Sequence, residues 1–330
     1  MSLSSTNPRF LPPAKALYKK IVNFFRPLPG DVPCWGLSLG RQALWAARRL
    51  EMESAAHVDE CFQIPLDAPL FAGAPSPETG SALTQALKVL AEKKKGSFQT
   101  LQVALPDPMA RFEVFEVEKV PAPGNPLQEF LAWRFHQGGE DEKLVFAHQI
   151  LGKEEGKNLL LGLAFEQRWM SLLKECLSGA GLRPSRIDTA LNYRFNFYHD
   201  LFARETGGGA LVTLEPDYWS LGIWDEGLRL RYVRAKWWDK EVKKIGDLPL
   251  QKVALEVERT LRSYVYSAPG RSVQTVFLLA PPLRSDPLWK IFRRGTGENC
   301  EVLDLKGLTP GRTAVPPGLS PTALAAAVKR

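Results

Sequence analysis

The chain is poor in the residues that build metal and disulfide chemistry. Its four cysteines (Cys34, Cys61, Cys176 and Cys300) stand far apart and form no CxxC, and its four histidines (His57, His136, His148 and His199) include no HExxH. That scatter excludes a disulfide framework and zinc-ribbon spacing, and fits buried thiols in a reducing compartment. His57, Asp59 and Cys61 put three ligand types on one strand, but a polar strand edge accounts for them without a metal. His199 and Asp200 would be neighbours on a helix, where consecutive side chains diverge, so they make no dyad. No P-loop, no GxGxxG after a strand and no GxSxG elbow is present. No stretch reaches the ~18–20 uninterrupted apolar residues of a membrane span. The longest greasy runs, 158–165 and 276–279, are strand-sized, and Pro8, Pro12 and Pro13 break any signal-peptide core. A soluble cytoplasmic protein is the expectation.

What is present is an ordinary globular composition: 330 residues, 45% hydrophobic and 24% charged, enough for two or three compact units. The 43 Lys and Arg against 36 Asp and Glu leave a net charge of +7. Arg9, Lys15, Lys19, Lys20 and Arg26 lie in residues 1–30 with no acid, so the body is nearly neutral. Within that tail Leu17, Ile21 and Phe24/Phe25 recur at helical spacing. Lys15, Lys19, Lys20, Phe24, Phe25 and Arg26 are therefore candidates to touch an anionic membrane surface, the alternative being a terminal helix packed on its own domain. A second basic stretch, 228–244, interleaves seven cations with Tyr232, Trp237 and Trp238. Such interleaving suits single-strand nucleic acid, yet the alternation of Leu228, Leu230 and Tyr232 with Arg229 and Arg231 also reads as a half-exposed hairpin running into a solvated helix start. Nine tryptophans include some available as interface anchors.

Periodicity and turn signals predict strands at 33–39, 43–50 and 57–66, a linker over 67–80 and a helix over 81–93. Strands at 100–105 and 111–120, a helix at 126–136, a strand pair at 144–151 and 158–165 and a helix at 167–180 follow. A long helix is predicted over 187–204, then a meander at 210–214, 219–224 and 228–233. The remainder reads as a helix at 250–267, a strand at 273–279, a helix at 288–294, a strand at 300–305 and a helix at 321–329. A meander with helices thus occurs twice, around a small α+β module, which makes an α/β fold with mixed sheets. The units are a basic tail at 1–30, a first subdomain at 31–99, an inserted subdomain at 100–183 and a second domain at 184–330, with helix 187–204 as connector.

Several phrases carry a resemblance. A leader ending in Phe24-Phe25-Arg26 precedes a first strand, 35–40. Ile64-Pro65-Leu66 leads into LTQALKVL at 83–90, and VALPD at 103–107 is followed by Arg111 and Phe112. PLQEFLAWRF stands at 126–135 and LLKECLSGAGLRPSRID at 172–188. In this order the phrases resemble the PilM family of actin-like ATPases of pilus assembly, relatives of the cell-division actin homologue FtsA. The resemblance spans residues 20–329 and implies the duplicated actin-like (ribonuclease H-like) fold. It also implies a nucleotide cleft between the halves, where two glycine-containing hairpins approach the phosphates by backbone N–H and aspartates serve Mg²⁺ and the attacking water.

The chain departs from the family at each of these places. The first hairpin's Asp falls on Ser38 and its Lys on Trp45; Gly40 survives, with Arg41 and Gln42 in place of small hydroxyl residues. In the second, Asp falls on Thr213, Gly on Glu215, and small hydroxyl residues on Tyr218 and Trp219. A carboxylate at Glu215 is expected to face the polyphosphate with like charge. Ala280-Pro281-Pro282 replaces the glycines under adenosine, removing N–H donors. The expectation is an actin-like scaffold, a pseudo-ATPase that takes neither ATP nor Mg²⁺. By resemblance it would serve a type IV pilus or related secretion machine at the inner face of the cytoplasmic membrane. There it would grip the cytoplasmic N-terminal peptide of a PilN-like bitopic partner between the first and inserted subdomains. Two alternatives are an actin-like ATPase or kinase whose phosphate hairpins lie elsewhere, and a nucleic-acid binder using 228–244.

Overall fold

A computed structural model describes residues 34–52, 55–93, 100–135, 143–205, 207–238, 250–267, 272–280, 290, 299–303 and 320–327. In chain order the first elements are β1 (Cys34–Leu39), β2 (Ala43–Met52), β3 (Ala55–Pro65), α1 (Pro77–Lys93) and β4 (Thr100–Leu105). Then come β5 (Ala110–Val117), α2 (Asn125–Phe135), β6 (Leu144–Glu154), β7 (Lys157–Glu166), α3 (Gln167–Gly179), β8 (Arg186–Thr189), α4 (Ala190–Phe197) and α5 (His199–Phe202). The last are β9 (Gly209–Leu214), β10 (Tyr218–Trp224), β11 (Leu230–Trp237), α6 (Leu250–Ser267), β12 (Thr275–Leu279), β13 (Cys300–Val302) and α7 (Pro321–Ala327).

The strands form two five-stranded sheets of the same design, β3-β2-β1-β4-β8 and β11-β10-β9-β12-β13. In each, three strands make an antiparallel meander and two more add in parallel. The central strands are buried end to end, as the apolar runs of β1, β9 and β12 require. The insert folds on its own three-stranded sheet, β5-β7-β6, whose core joins Phe115, Phe146 and Leu160 to Leu127 and Leu131 of α2. Strand β4 belongs to the first sheet, although the sequence boundary at 100 places it with the insert. On the second sheet, α6 packs Val253, Val257, Leu261 and Tyr264 against Val212, Leu221 and Leu278.

Three local differences from expectation have plain causes. Helix α1 starts at Pro77, inside the expected linker. Ser76 Oγ accepts the Thr79 N–H at 3.2 Å, and proline is at home in a first helical turn. The helix expected over 187–204 is corrected: Arg186–Thr189 is a strand parallel to β4 and the helical remainder breaks at Tyr198. Thr189 explains the switch, since its side chain accepts the Asn192 N–H and caps α4. Strand β11 runs on to Trp237, where a helix start was expected.

Gly36 sets how closely α7 lies on the first sheet. A Cβ there would sit 2.1 Å from the Ala323 carbonyl oxygen and 2.3 Å from the Ala327 nitrogen. Glycine is what lets the helix backbone rest on β1. All seven residues of α7 are buried.

Candidate functional site

The two hairpins singled out by sequence meet at the junction of the halves. The turn between β1 and β2 carries Gly40, Arg41 and Gln42; the turn between β9 and β10 carries Glu215, Pro216 and Asp217. The Arg41 backbone N–H donates to Asp217 Oδ2 at 2.6 Å, so the hairpins are bonded to each other. A Cβ on Gly40 would lie 2.2 Å from the Trp45 ring and 2.7 Å from Asp217 Oδ2. Trp45, on the position that the resemblance gives to lysine, therefore fills the space beside the glycine. Burial pushes the Asp217 carboxyl up, with the Arg41 N–H and guanidinium pulling the other way. Burial also lowers the Arg41 guanidinium, against the pull of Asp217.

Behind the hairpins lies a buried charge cluster centred on Arg194 of α4, whose side chain is 0% exposed. Its Nη2 donates to Asp107 Oδ2 at 3.0 Å and to the Tyr218 hydroxyl at 2.8 Å, and its Nη1 to Ser220 Oγ at 3.3 Å. Glu215 Oε1 is 4.0 Å from Nη2 and also accepts the Thr322 hydroxyl proton. Asp107 takes a further bond from the Leu191 N–H at 2.6 Å. Burial works to lower the Arg194 guanidinium, but Tyr218, Asp107 and Glu215 hold it raised, so it stays charged. Both carboxyls are raised, chiefly by burial and against the pull of Arg194. The expected posture of Glu215 is thereby corrected: it turns inward to Arg194 and Thr322, because a carboxylate 3% exposed needs a cation and a donor.

Ser38 and Thr213 are also buried, and the Thr213 hydroxyl has no hydrogen-bond partner among the described residues. Ala280 follows the last residue of β12; Pro281 and Pro282 lie outside the described residues, as do Lys15, Lys19, Lys20, Phe24, Phe25 and Arg26. The structure thus brings Gly40, Arg41, Thr213 and Glu215 to one junction. Sequence reasoning missed Arg194 and Asp217. The available signal was a cation at 194 on the inward face between Leu191 and Tyr198, since a charge on an apolar face demands partners.

The pairing of β2 with β3 skips Asp59 at a β-bulge, and the side chains of His57 and Asp59 lie outside what the structure describes. Among the described residues no cluster of His, Cys, Asp and Glu could hold a metal. In the basic stretch, Arg231 pairs with Asp225 and Glu154, both at 2.6 Å, and Arg229 with Asp225 at 2.8 Å. Arg234 and Lys236 share Glu256 at 3.2 and 2.7 Å. These four cations are committed to the protein's own acids, and the first two fasten the insert's β6–β7 turn to the second sheet.

A pocket of about 320 Å³ opens beside the hairpins. Residues 71–74 after β3 form one wall, Pro108, Met109, Glu166, Arg168 and Trp169 from the insert another, and Trp237 of β11 a third. Phe71 stands between the two indoles, with ring centroids 4.8 Å from Trp169 and 5.8 Å from Trp237. Its φ of 59° is left-handed. For a bulky residue that conformation costs about 1–3 kcal/mol and persists where its surroundings enforce it, often at functional sites. The lining thus joins three aromatic rings to the charged side chains of Glu166 and Arg168.

Two sheets of one order around a junction of hairpins, with an inserted subdomain, define the actin-like ATPase fold. Similar solved structures bear this out. A PilM–PilN type IV pilus biogenesis complex aligns over 83% of this chain and 89% of that one, with TM-score 0.64 and 18% identity. A Bacteroides thetaiotaomicron protein with an actin-like ATPase fold and unknown function aligns over 84% of this chain and 94% of that one, with TM-score 0.51 and 11% identity. No protein-family model and no curated protein matches the sequence. Among the described residues no helix is long and apolar enough to cross a membrane.

Proposed function

We propose that this chain is a non-catalytic actin-like scaffold of a type IV pilus or related secretion machine, holding the cytoplasmic segment of a PilN-like bitopic inner-membrane protein and binding no Mg-ATP. The observation that carries the reading is the Arg41–Asp217 bond. The backbone donor that a nucleotide's phosphates would need is satisfied by the protein's own carboxylate. Around it, Trp45 fills the space beside Gly40, and the nearest buried charges, Asp107 and Glu215, are anions already engaged by Arg194. A triphosphate reaching the hairpin tips would have to break the Arg41–Asp217 bond.

The partner reading is supported by the aromatic pocket between the first and inserted subdomains and by the likeness to a structure in which PilM is assembled with PilN. The basic tail would keep the protein against the anionic inner face of the cytoplasmic membrane. Isothermal titration with the cytoplasmic N-terminal peptide of a PilN-like single-span protein tests the proposal. Micromolar or tighter binding, lost in Trp169→Ala, is expected; absence of heat, or heat that Trp169→Ala leaves unchanged, would remove the pocket from the account.

A further inference from the structure

The pocket and the hairpin junction are joined by a closed circuit of contacts. The Arg41 N–H bonds Asp217 Oδ2 at 2.6 Å, and the Trp238 N–H bonds the Asp217 carbonyl at 3.0 Å. The Trp238 indole N–H also donates to the Glu215 carbonyl at 3.0 Å, so the strand end carrying Trp237 is pinned to the second hairpin twice. From the first hairpin, the Arg41 guanidinium carbon lies 4.3 Å from the centre of the Trp237 ring, a cation–π contact. The carbonyls of Arg41 and Gln42 accept the N–H groups of Leu70 and Leu66, both at 2.8 Å, and so hold the loop that presents Phe71. Phe71 and Trp237 close the circuit as a stack with 23° between ring planes. Each of these two walls is thus tied to a different hairpin, and Asp217 ties the hairpins together.

We propose that this clasp assembles the partner pocket: Asp217, which lines no part of it, is a positioning residue that brings Trp237 of the second half against Phe71 of the first, and a peptide binds tightly only in the clasped arrangement. The inference rests on the pocket being the peptide site. It adds that the second half takes part, and that the hairpin junction sets partner affinity. Coupling of this kind is reciprocal, so an occupied pocket holds the clasp shut.

The probe is a fluorescein-labelled short peptide selected on the full chain from a displayed random library, with counter-selection against the Trp169→Ala chain. Asp217→Ala and Trp237→Ala are expected to weaken it by about tenfold or more. Asp217→Asn, which keeps an oxygen to accept the Arg41 N–H, is expected to stay within about threefold of wild type. Without peptide, Asp217→Ala is expected to speed hydrogen exchange across residues 66–74, and Asp217→Asn to leave it near wild type. If Asp217→Ala binds like wild type and exchanges like wild type, the clasp does not build the pocket and the inference falls while the pocket reading stands. If selection yields no peptide sensitive to Trp169→Ala, the pocket reading fails and takes the inference with it.

Discussion

Replacing Arg194 by methionine removes the cation that lies within ion-pair reach of both Asp107 and Glu215, while keeping most of the side chain's length. The change deletes three hydrogen bonds, to Asp107, Tyr218 and Ser220, and leaves two carboxyls buried without a counter-charge. Breaking a buried pair from one side costs about 3–5 kcal/mol, because the remaining charge must be neutralised or rehydrated. Against a total stability of about 5–15 kcal/mol for a domain, that is a large fraction. Urea unfolding followed by tryptophan fluorescence should show the midpoint falling accordingly. The triple variant Arg194→Met/Asp107→Asn/Glu215→Gln should recover much of the loss, since no charge is then stranded, and the non-additivity measures the coupling. An Arg194→Met chain within about 1 kcal/mol of wild type would mean that the cluster is solvated or formed differently, and the reasoning would fail.

Glu215→Gln tests the sign of the linkage. A carboxyl whose folded pKa is raised binds its proton more readily in the folded state, so it contributes most below its unfolded pKa and loses that contribution as pH rises through the folded value. The melting temperature of wild type minus that of Glu215→Gln should fall as pH is raised from about 4.5 towards neutrality; a difference that grows instead would show the Arg194 attraction outweighing burial. Gly36→Ala forces a Cβ onto the Ala323 carbonyl and should destabilise by about 1–3 kcal/mol, with faster hydrogen exchange over 320–327, whereas unchanged exchange there would contradict the close approach. Deleting residues 1–30 removes five cations, each worth about 1 kcal/mol near anionic headgroups, so sedimentation with phosphatidylglycerol vesicles should drop sharply. Equal sedimentation of the shortened chain would place membrane contact elsewhere.

How far the sequence could be read depended on whether the information was local. The helix over 250–267 was legible to the residue, because Val253, Val257, Leu261 and Tyr264 hold one face by spacing alone. The second meander was legible because Pro216-Asp217 and Asp225 to Gly227 mark its turns, and in the first Gly40 marks the turn between β1 and β2. β8 was not: Arg-Ile-Asp-Thr has no strand pattern of its own and is extended because it pairs in parallel with β4, some 84 residues away at the Gln102–Arg186 register. The hairpin positions were legible through the family phrases, but the side chains that meet there were not. Arg194 finds Asp107 across 87 residues, and Arg41 finds Asp217 across 176. No local rule pairs such residues; the fold does. Phe71 in a left-handed conformation was equally hidden, since its loop takes that shape from Leu70 bonded to the first hairpin.

The central claim is that the junction of the halves is occupied by the protein's own side chains and has no room for a nucleotide. Isothermal titration of Mg-ATP into the full chain addresses it directly, with peptide added in a second run to show that the sample is competent. The account predicts no saturable heat from the nucleotide at millimolar concentration. A saturable, magnesium-dependent isotherm that Gly40→Ala abolishes would contradict it.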